Sequence, residues 1–450
     1  MAEVVPFRPW LYNTAVTGPL AQALAPPYDV IGRDLQDRLY AAGPHNVVRI
    51  DLNRDPDPAS RYASAAATLQ SWKTQQALVQ PPEPSVTVLE HAFVGPDGLQ
   101  RMRTGMLACV KLAEFGEGVI FPHEYTLSGP KEDRFRLMTA TGMALSPVFL
   151  LYSHRNPAVA AALRATVSRE PDESATAPGE AAGRPPEQLR LWRATDHALH
   201  HALATSLSDE PLVIADGHHR YETALRYRAW RRSACNGEGG AERQAAWEYF
   251  LAYLVGTDDP GLAIFATHRL VRGLPQEQVS ALPQVLAGSF RVEELPGARE
   301  DAPQSIRRFL EAHLQGPSAF GLYLPDSGRS YGLLLSVDPA TAASDGTDGP
   351  TADALSLDVS VLQNLVLNPA LGITADRVAG GDHVVFVKEW AEGFALLEQG
   401  ECQAGFFLNP TRLNQVTGMA LRGERMPQKS TYFYPKIPTG LVFLDLNGSL

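Results

Sequence analysis

The stretch Leu212-Val213-Ile214-Ala215-Asp216-Gly217-His218-His219-Arg220-Tyr221-Glu222-Thr223-Ala224-Leu225 decides how this chain is read. An apolar run ends in Asp-Gly-His-His-Arg, and a helical pattern follows. A strand that turns at glycine into a helix leaves unpaired backbone N–H groups at the positive end of the helix dipole. That point favours an anion, and phosphate is the commonest anion held this way. Gly217 lets the backbone approach a ligand without a side chain in between. His218, His219 and Arg220 surround the turn with donors, and arginine grips phosphate oxygens bidentately. These four residues are therefore read as a phosphate cradle; the other reading is a strand–turn–helix whose His and Arg are solvated or pair with nearby carboxylates. Asp216, at the strand end, is placed to orient a hydroxyl or bind Mg²⁺; an Asx turn or helix cap is the other role open to it. Adjacent histidines rarely ligate one ion together, so no metal site is assigned.

Working outward, Leu199, Leu203 and Leu207 mark one face of a helix before the strand, and Pro147-Val148-Phe149-Leu150-Leu151-Tyr152 reads as a buried strand. The Pro-, Ala-, Glu- and Gly-rich stretch from Ser168 to Gln188 is expected to be an exposed, mobile loop. Nearer the N-terminus, Asn46 to Leu52 reads as a strand, and Tyr62, Ala66, Leu69 and Trp72 recur at helical spacing. Val86–Phe93 and Met102–Leu112 flank Gly95-Pro96-Asp97-Gly98, a hairpin signal. Towards the C-terminus, Ala319–Leu324 and Tyr331–Val337 read as a second hairpin, Pro339–Thr351 as a polar loop and Val384–Val387 as a buried strand. The expected class is α/β with mixed α+β sheets. Three units follow: residues 1–115 an N-terminal α/β unit, 116–272 a phosphate-binding core, and 273–450 a C-terminal α/β unit completing the site.

The chain has 450 residues, 44% of them hydrophobic and 20% charged, as in soluble globular proteins. A formal net charge of −11 disfavours general binding to nucleic acid. Cys109, Cys235 and Cys402 lie far apart and without metal-ligand spacing, which predicts reduced thiols and not a disulfide framework. No apolar run approaches the ~20 residues that span a bilayer, and no secretory pattern opens the chain, so a cytoplasmic enzyme or switch is expected.

Two further segments carry chemistry. Phe121-Pro122-His123-Glu124-Tyr125-Thr126 is predicted to be a loop, because Pro122 interrupts regular structure. A loop glutamate can take a proton from a substrate hydroxyl within hydrogen-bond reach; Glu124 is equally suited to cap the next helix or pair with Arg134. In Met426-Pro427-Gln428-Lys429-Ser430-Thr431-Tyr432-Phe433-Tyr434-Pro435-Lys436, Lys429 and two hydroxyls suit a second anion cradle, though an ordinary loop into a terminal strand reads at least as well. Thr267-His268-Arg269 is a weaker candidate, with a structural role preferred.

In this order, the three segments resemble the ParB/sulfiredoxin-fold free serine kinases, short enzymes with a Pro-His-Glu segment, an Asp-Gly-His-His-Arg turn and a C-terminal Pro-Lys-Thr-Thr segment. The whole chain also resembles a long, uncharacterised, domain-of-unknown-function family of bacterial and archaeal proteins. That second resemblance adds Ala25-Pro26-Pro27-Tyr28-Asp29-Val30-Ile31 to the three segments. Residues 116–272 would then be a ParB/sulfiredoxin-like core. Carried over, Glu124 would be the base that activates a serine hydroxyl, with Asp216 assisting at the reacting centre. Gly217, His218, His219 and Arg220 would hold nucleotide phosphates, while His123, Thr126, Lys429, Ser430 and Thr431 would hold the acceptor. The donor would be ATP or ADP, with Mg²⁺ accompanying the nucleotide. Ser430 departs from the threonine of the short kinases, the Glu124-to-Asp216 stretch is longer, and the N-terminal unit is extra.

The expected function is a small-molecule kinase acting on free serine or a similar hydroxyl metabolite. The alternative is a nucleotide-gated ParB-like switch with DNA as partner, against which the acidic charge and the lack of a helix-turn-helix pattern count. A sulfiredoxin-like reductase is set aside, because His218 stands where its turn carries a cysteine.

Overall fold

The computed structural model describes residues 1–57, 60–126, 128–153, 157–177, 185–234, 245–338, 355–427 and 429–450, with the backbone alone at 128–130 and 379. The chain forms two compact units: Met1–Pro122 with Thr126–Ala263 and Tyr434–Leu450, and His123–Tyr125 with Ile264–Phe433. Both are mixtures of sheet and helix, so the fold is α/β with mixed sheets.

In the first unit the strands of the largest sheet are β1 (Val4–Val5), β2 (Val86–Val94), β3 (Gln100–Lys111), β4 (Ile120–Phe121), β5 (Val148–Tyr152), β6 (Glu173–Ala177), β7 (Glu187–Ala194), β8 (Leu212–Asp216) and β9 (Tyr249–Gly256). They form one sheet in the order β4-β8-β5-β9-β3-β2-β7-β6, with β1 on β3. Parallel pairing of β8 with β4 and of β9 with β5 sits beside antiparallel pairing elsewhere. β2 and β3 come from residues before 115, and β5, β7, β8 and β9 from residues after it. One face carries Val86, Val88, Val148, Leu150, Trp192 and Leu212, all buried in one apolar cluster. Two helices close that cluster, α1 (Pro157–Val167) through Val159 and α2 (His197–Ser206) through Leu199 and Leu203. At the start of α2, Asp196 accepts from Ala198 N–H at 2.8 Å, a side-chain N-cap.

The second unit holds β10 (His268–Val271), β11 (Phe290–Glu294), β12 (Ala319–Leu324), β13 (Arg329–Leu335), β14 (Val384–Val387) and β15 (Ala404–Leu408), all antiparallel, in the order β11-β13-β12-β15-β10-β14. Helix α3 (Ala302–Ala312) lays Ile306, Phe309 and Leu310 on this sheet. It lies so close that a Cβ on Gly321 would come within 2.0 Å of Ile306.

Both expected hairpins form, as do the strand at Val148–Tyr152 and the helix over Arg61–Thr74. Two expectations are corrected. Asn46–Leu52 is not a strand: Val48–Asp51 is a short helix. Buried Asn46 causes this, because its amide donates to the Gln22 and Leu24 carbonyls while its Oδ1 accepts from Val48 N–H. The Ser168–Gln188 stretch is also not all loop, since β6 lies within it and pairs with β7; residues 178–184 lie outside the described residues. The polar stretch Pro339–Thr351 and Cys235 lie outside them too, while Cys109 and Cys402 are buried free thiols. Among the described residues no helix is long and apolar enough to cross a membrane.

Candidate functional site

Where β8 pairs with β5, its register shifts between Ile214 and Asp216. Such a bulge bends the strand and re-aims the next side chain, here Asp216. Gly217 follows at φ +94°, and a Cβ there would lie 3.0 Å from the Arg220 guanidinium. Both facts favour glycine. The helix His218–Ala234 begins at once, so its first N–H groups open at the turn.

Asp216 holds two cations. Its Oδ2 accepts from Arg220 Nη2 and its Oδ1 from Lys436 Nζ, each at 2.5 Å. Arg220 also donates to the Pro147 carbonyl, and Lys436 to Asp29 Oδ2 at 3.2 Å. Burial raises the Asp216 pKa, but Lys436 and then Arg220 outweigh it and hold the carboxyl well below the usual carboxylate range. His218 is buried at the helix start and His219 half-buried beside it. Lys436 is itself anchored: fully buried Arg103 donates to the Tyr434 carbonyl at 3.1 Å and the Pro435 carbonyl at 2.8 Å.

Beside the turn, a cavity of about 50 Å³ is bounded by Tyr28, Asp51, Arg134, Ser146 and Arg220. Arg134 pairs with Asp51 at 2.6 Å and lies 4.1 Å from the Tyr28 ring centroid. Asp51 Oδ2 makes no hydrogen bond among the described residues. Burial raises the Asp51 pKa, against the pull of Arg134.

A second group lies in the second unit. Glu124 forms a parallel bridge with Met426, whose N–H donates to the His123 carbonyl at 2.8 Å. Glu124 Oε1 accepts from Lys429 N–H at 3.1 Å. Lys429 adopts φ +60°, a left-handed backbone uncommon for a residue with a side chain. Buried Arg269 donates to the Lys429 carbonyl at 3.1 Å and also to that of Thr267. Burial pulls the Arg269 pKa down to about 10, although the Glu124 charge works the other way. His123 is fully buried, its Nε2 2.9 Å from Thr431 Oγ1 and its ring 6.1 Å from that of Phe433. Ser430 is also buried; its hydroxyl donates to the Pro427 carbonyl at 2.5 Å, and its own carbonyl accepts from Thr411 Oγ1 at 2.9 Å.

The structure thus brings Asp216, Gly217, His218, His219 and Arg220 together in one unit, and His123, Glu124, Lys429, Ser430 and Thr431 together in the other. Thr126 belongs with neither group. Its hydroxyl donates to Glu222 at 2.8 Å and accepts from Lys131 at 3.1 Å. Gln428 lies outside the described residues. Sequence reasoning missed Lys436 and Asp29 and held Arg269 only as a weaker candidate, with a structural role preferred. The signal was present for the first two, because each is a charged residue inside a segment that carried the family resemblance. Among the described residues, no group of three or more His, Cys, Asp or Glu could hold a metal ion.

Residues 4–360 match the family described as "Protein of unknown function (DUF1015)". The chain belongs to that family. In this DUF1015 protein the matched span includes Asp29, Glu124, Asp216 to Arg220 and Arg269, and ends before Lys429 and Lys436. No curated protein matches the chain. Among solved structures it is similar to a free serine kinase mutant in complex with AMP, at 15% identity and a TM-score of 0.33 over 72% of this chain and 89% of that one. It is also similar to a conserved hypothetical protein from Pyrococcus furiosus, at 15% identity and a TM-score of 0.33 over 72% and 92%. A C-terminally truncated SbnI from Staphylococcus aureus gives 11% identity and a TM-score of 0.34 over 75% and 86%.

Proposed function

We propose that this protein is a small-molecule kinase that transfers a phosphoryl group from ATP or ADP to the hydroxyl of free serine or a similar metabolite. The observation that carries the reading is the turn at Asp216. A glycine at positive φ opens a 17-residue helix, and two cations, Arg220 and Lys436, converge on the preceding carboxylate. Phosphoryl transfer asks for positioning and charge neutralisation more than for covalent chemistry, and these residues supply both.

In this reading the nucleotide phosphates meet the first N–H groups of the helix with His218, His219 and Arg220, and compete with Asp216 for Arg220 and Lys436. Glu124 takes the proton of the acceptor hydroxyl as that oxygen bonds to the terminal phosphorus. The bond from phosphorus to the bridging oxygen breaks, and ADP or AMP leaves with the electron pair, its charge met by Arg220 and Lys436. His123, Lys429, Ser430 and Thr431 are assigned to the acceptor, with the Lys429 ammonium as the exposed cation, while Thr126, whose hydroxyl is held by Glu222 and Lys131, is not. Both Asp216 oxygens already face cations, so Mg²⁺ enters the proposal only as the nucleotide's counter-ion. The ParB/sulfiredoxin-like core, the three-part division and a cytoplasmic setting belong to the same proposal.

Phosphorus NMR of the protein with Mg²⁺, ATP or ADP, and a pool of amino acids and hydroxyl metabolites tests it. A new phosphate-ester signal is expected. Glu124→Gln should cut its rate at least ~100-fold, the scale of general-base catalysis, with nucleotide affinity unchanged. Arg220→Ala should weaken nucleotide binding by about 10- to 100-fold, the worth of a charge-assisted contact. Nucleotide binding without an ester would overturn the kinase in favour of a nucleotide-gated switch. No nucleotide binding at all would overturn the reading of the turn.

A further inference from the structure

The nine-stranded sheet has a second face. Side chains alternate along a strand, so Leu191 and Arg193 of β7 point away from the cluster that holds Trp192 and Ala194. Their cross-strand partners, Glu173 on β6 and Thr87 on β2, share that face. Here a cavity of about 300 Å³ opens, the lower end of the range for small-molecule pockets. Leu20, Leu191 and Leu441 form its apolar wall.

Two polar atoms in this wall stand out. Tyr12 is 8% exposed and Thr87 4%, and both hydroxyls are buried with no hydrogen-bond partner among the described residues. Buried hydroxyls are normally satisfied, so two orphans lining one cavity point to something that enters it. Burial keeps the Tyr12 phenol pKa well above its usual value, so the group stays a neutral donor. More exposed residues border the cavity too. Asp172 is already engaged by Arg193 N–H at 2.6 Å. The Glu173 carboxylate and the Arg193 guanidinium take part in no ion pair among the described residues. One unpaired anion and one unpaired cation beside an apolar cavity match the ammonium and carboxylate of a free amino acid.

We propose that this cavity binds a free α-amino acid with a long, apolar side chain ending in a polar atom, of which tyrosine is the type. Its ammonium would meet Glu173, its carboxylate Arg193, its ring the leucine wall, and its hydroxyl Tyr12 and Thr87. None of these residues belongs to the groups around Asp216 or Glu124, so the proposal stands apart from the kinase reading.

Isothermal titration of the full chain with L-tyrosine and L-phenylalanine, each to about 1 mM, tests it. Tyrosine should bind, and phenylalanine, lacking the polar tip, about tenfold more weakly. Thr87→Val should weaken tyrosine binding about tenfold yet raise the melting temperature of the ligand-free protein, because it removes an orphaned hydroxyl; a merely structural Thr87 would lower both. Arg193→Ala, at an exposed position that leaves the fold intact, should abolish binding. The proposal is overturned if neither amino acid binds, or if Thr87→Val and Arg193→Ala leave tyrosine affinity unchanged, the cavity then holding solvent alone.

Discussion

The turn at Asp216 and the loop at Glu124 handle charge in opposite ways. At the turn, charged side chains answer one another: Asp216 faces Arg220 and Lys436, and Lys436 faces Asp29. At the loop the backbone does most of the work. Glu124 takes an N–H from Lys429, Arg269 donates to two carbonyls, and the buried His123 and Ser430 meet a hydroxyl and a carbonyl. An arrangement of paired charges is set by residue type on a strand–turn–helix. One built from backbone groups depends on a particular loop conformation, here the left-handed Lys429.

The largest effect that would sharpen this contrast is at the turn. Asp216→Asn leaves Arg220 and Lys436 facing each other without their shared carboxylate. The loss should be about 2–4 kcal/mol in urea unfolding, below the full cost of stripping a buried pair because the group is partly exposed. A loss under ~0.5 kcal/mol would mean that the paired charges contribute nothing to the turn. Gly217→Ala comes next, at about 1–2 kcal/mol, because alanine must adopt positive φ and displace Arg220.

The loop side is broken by pH. Burial, then the neighbouring Arg269 and Arg307, push the His268 pKa down to about 3. The unfolded chain, with histidine near 6.5, binds this proton first as pH falls. The stability that neutral His268 provides is therefore complete above about pH 6.5 and is lost towards pH 3, at about 1.4 kcal/mol per unit. Urea unfolding at pH 6.5, 5.5 and 4.5 should show a steeper decline in the wild type than in His268→Gln; parallel curves would contradict the assignment. The smallest effect is Lys429→Gly, which accepts φ +60° freely. Stability should change by no more than about 1 kcal/mol, while the ammonium assigned to the acceptor is lost. A large destabilisation would make Lys429 a structural residue.

The same contrast explains what could be read from sequence. The apolar run from Leu212, the glycine and the helical pattern that follows are local signals, and the strand, turn and helix form where expected. Lys436 stood in a segment already singled out, but its pairing with Asp216 was hidden because the two lie 220 positions apart and meet through a segment pinned by Arg103. Arg269 was hidden for a different reason: among the described residues its hydrogen bonds go to backbone carbonyls, which leave no complementary side chain in the sequence to reveal it. Asn46 shows the same limit for the fold, since one buried amide converts an apolar, strand-like run into a helical turn.

Arg103 has a consequence for anyone who would cut this gene. The first unit runs to Ala263 and then takes up the last seventeen residues, Tyr434–Leu450. A protein ending at Ala263 would keep the whole Asp-Gly-His-His-Arg turn yet lack the carbonyls that receive the buried Arg103 guanidinium, and the Lys436 ammonium that faces Asp216. Fragments of the first unit therefore have to be built with residues 434–450 rejoined by a linker, because the tail is an internal part of that unit's interior.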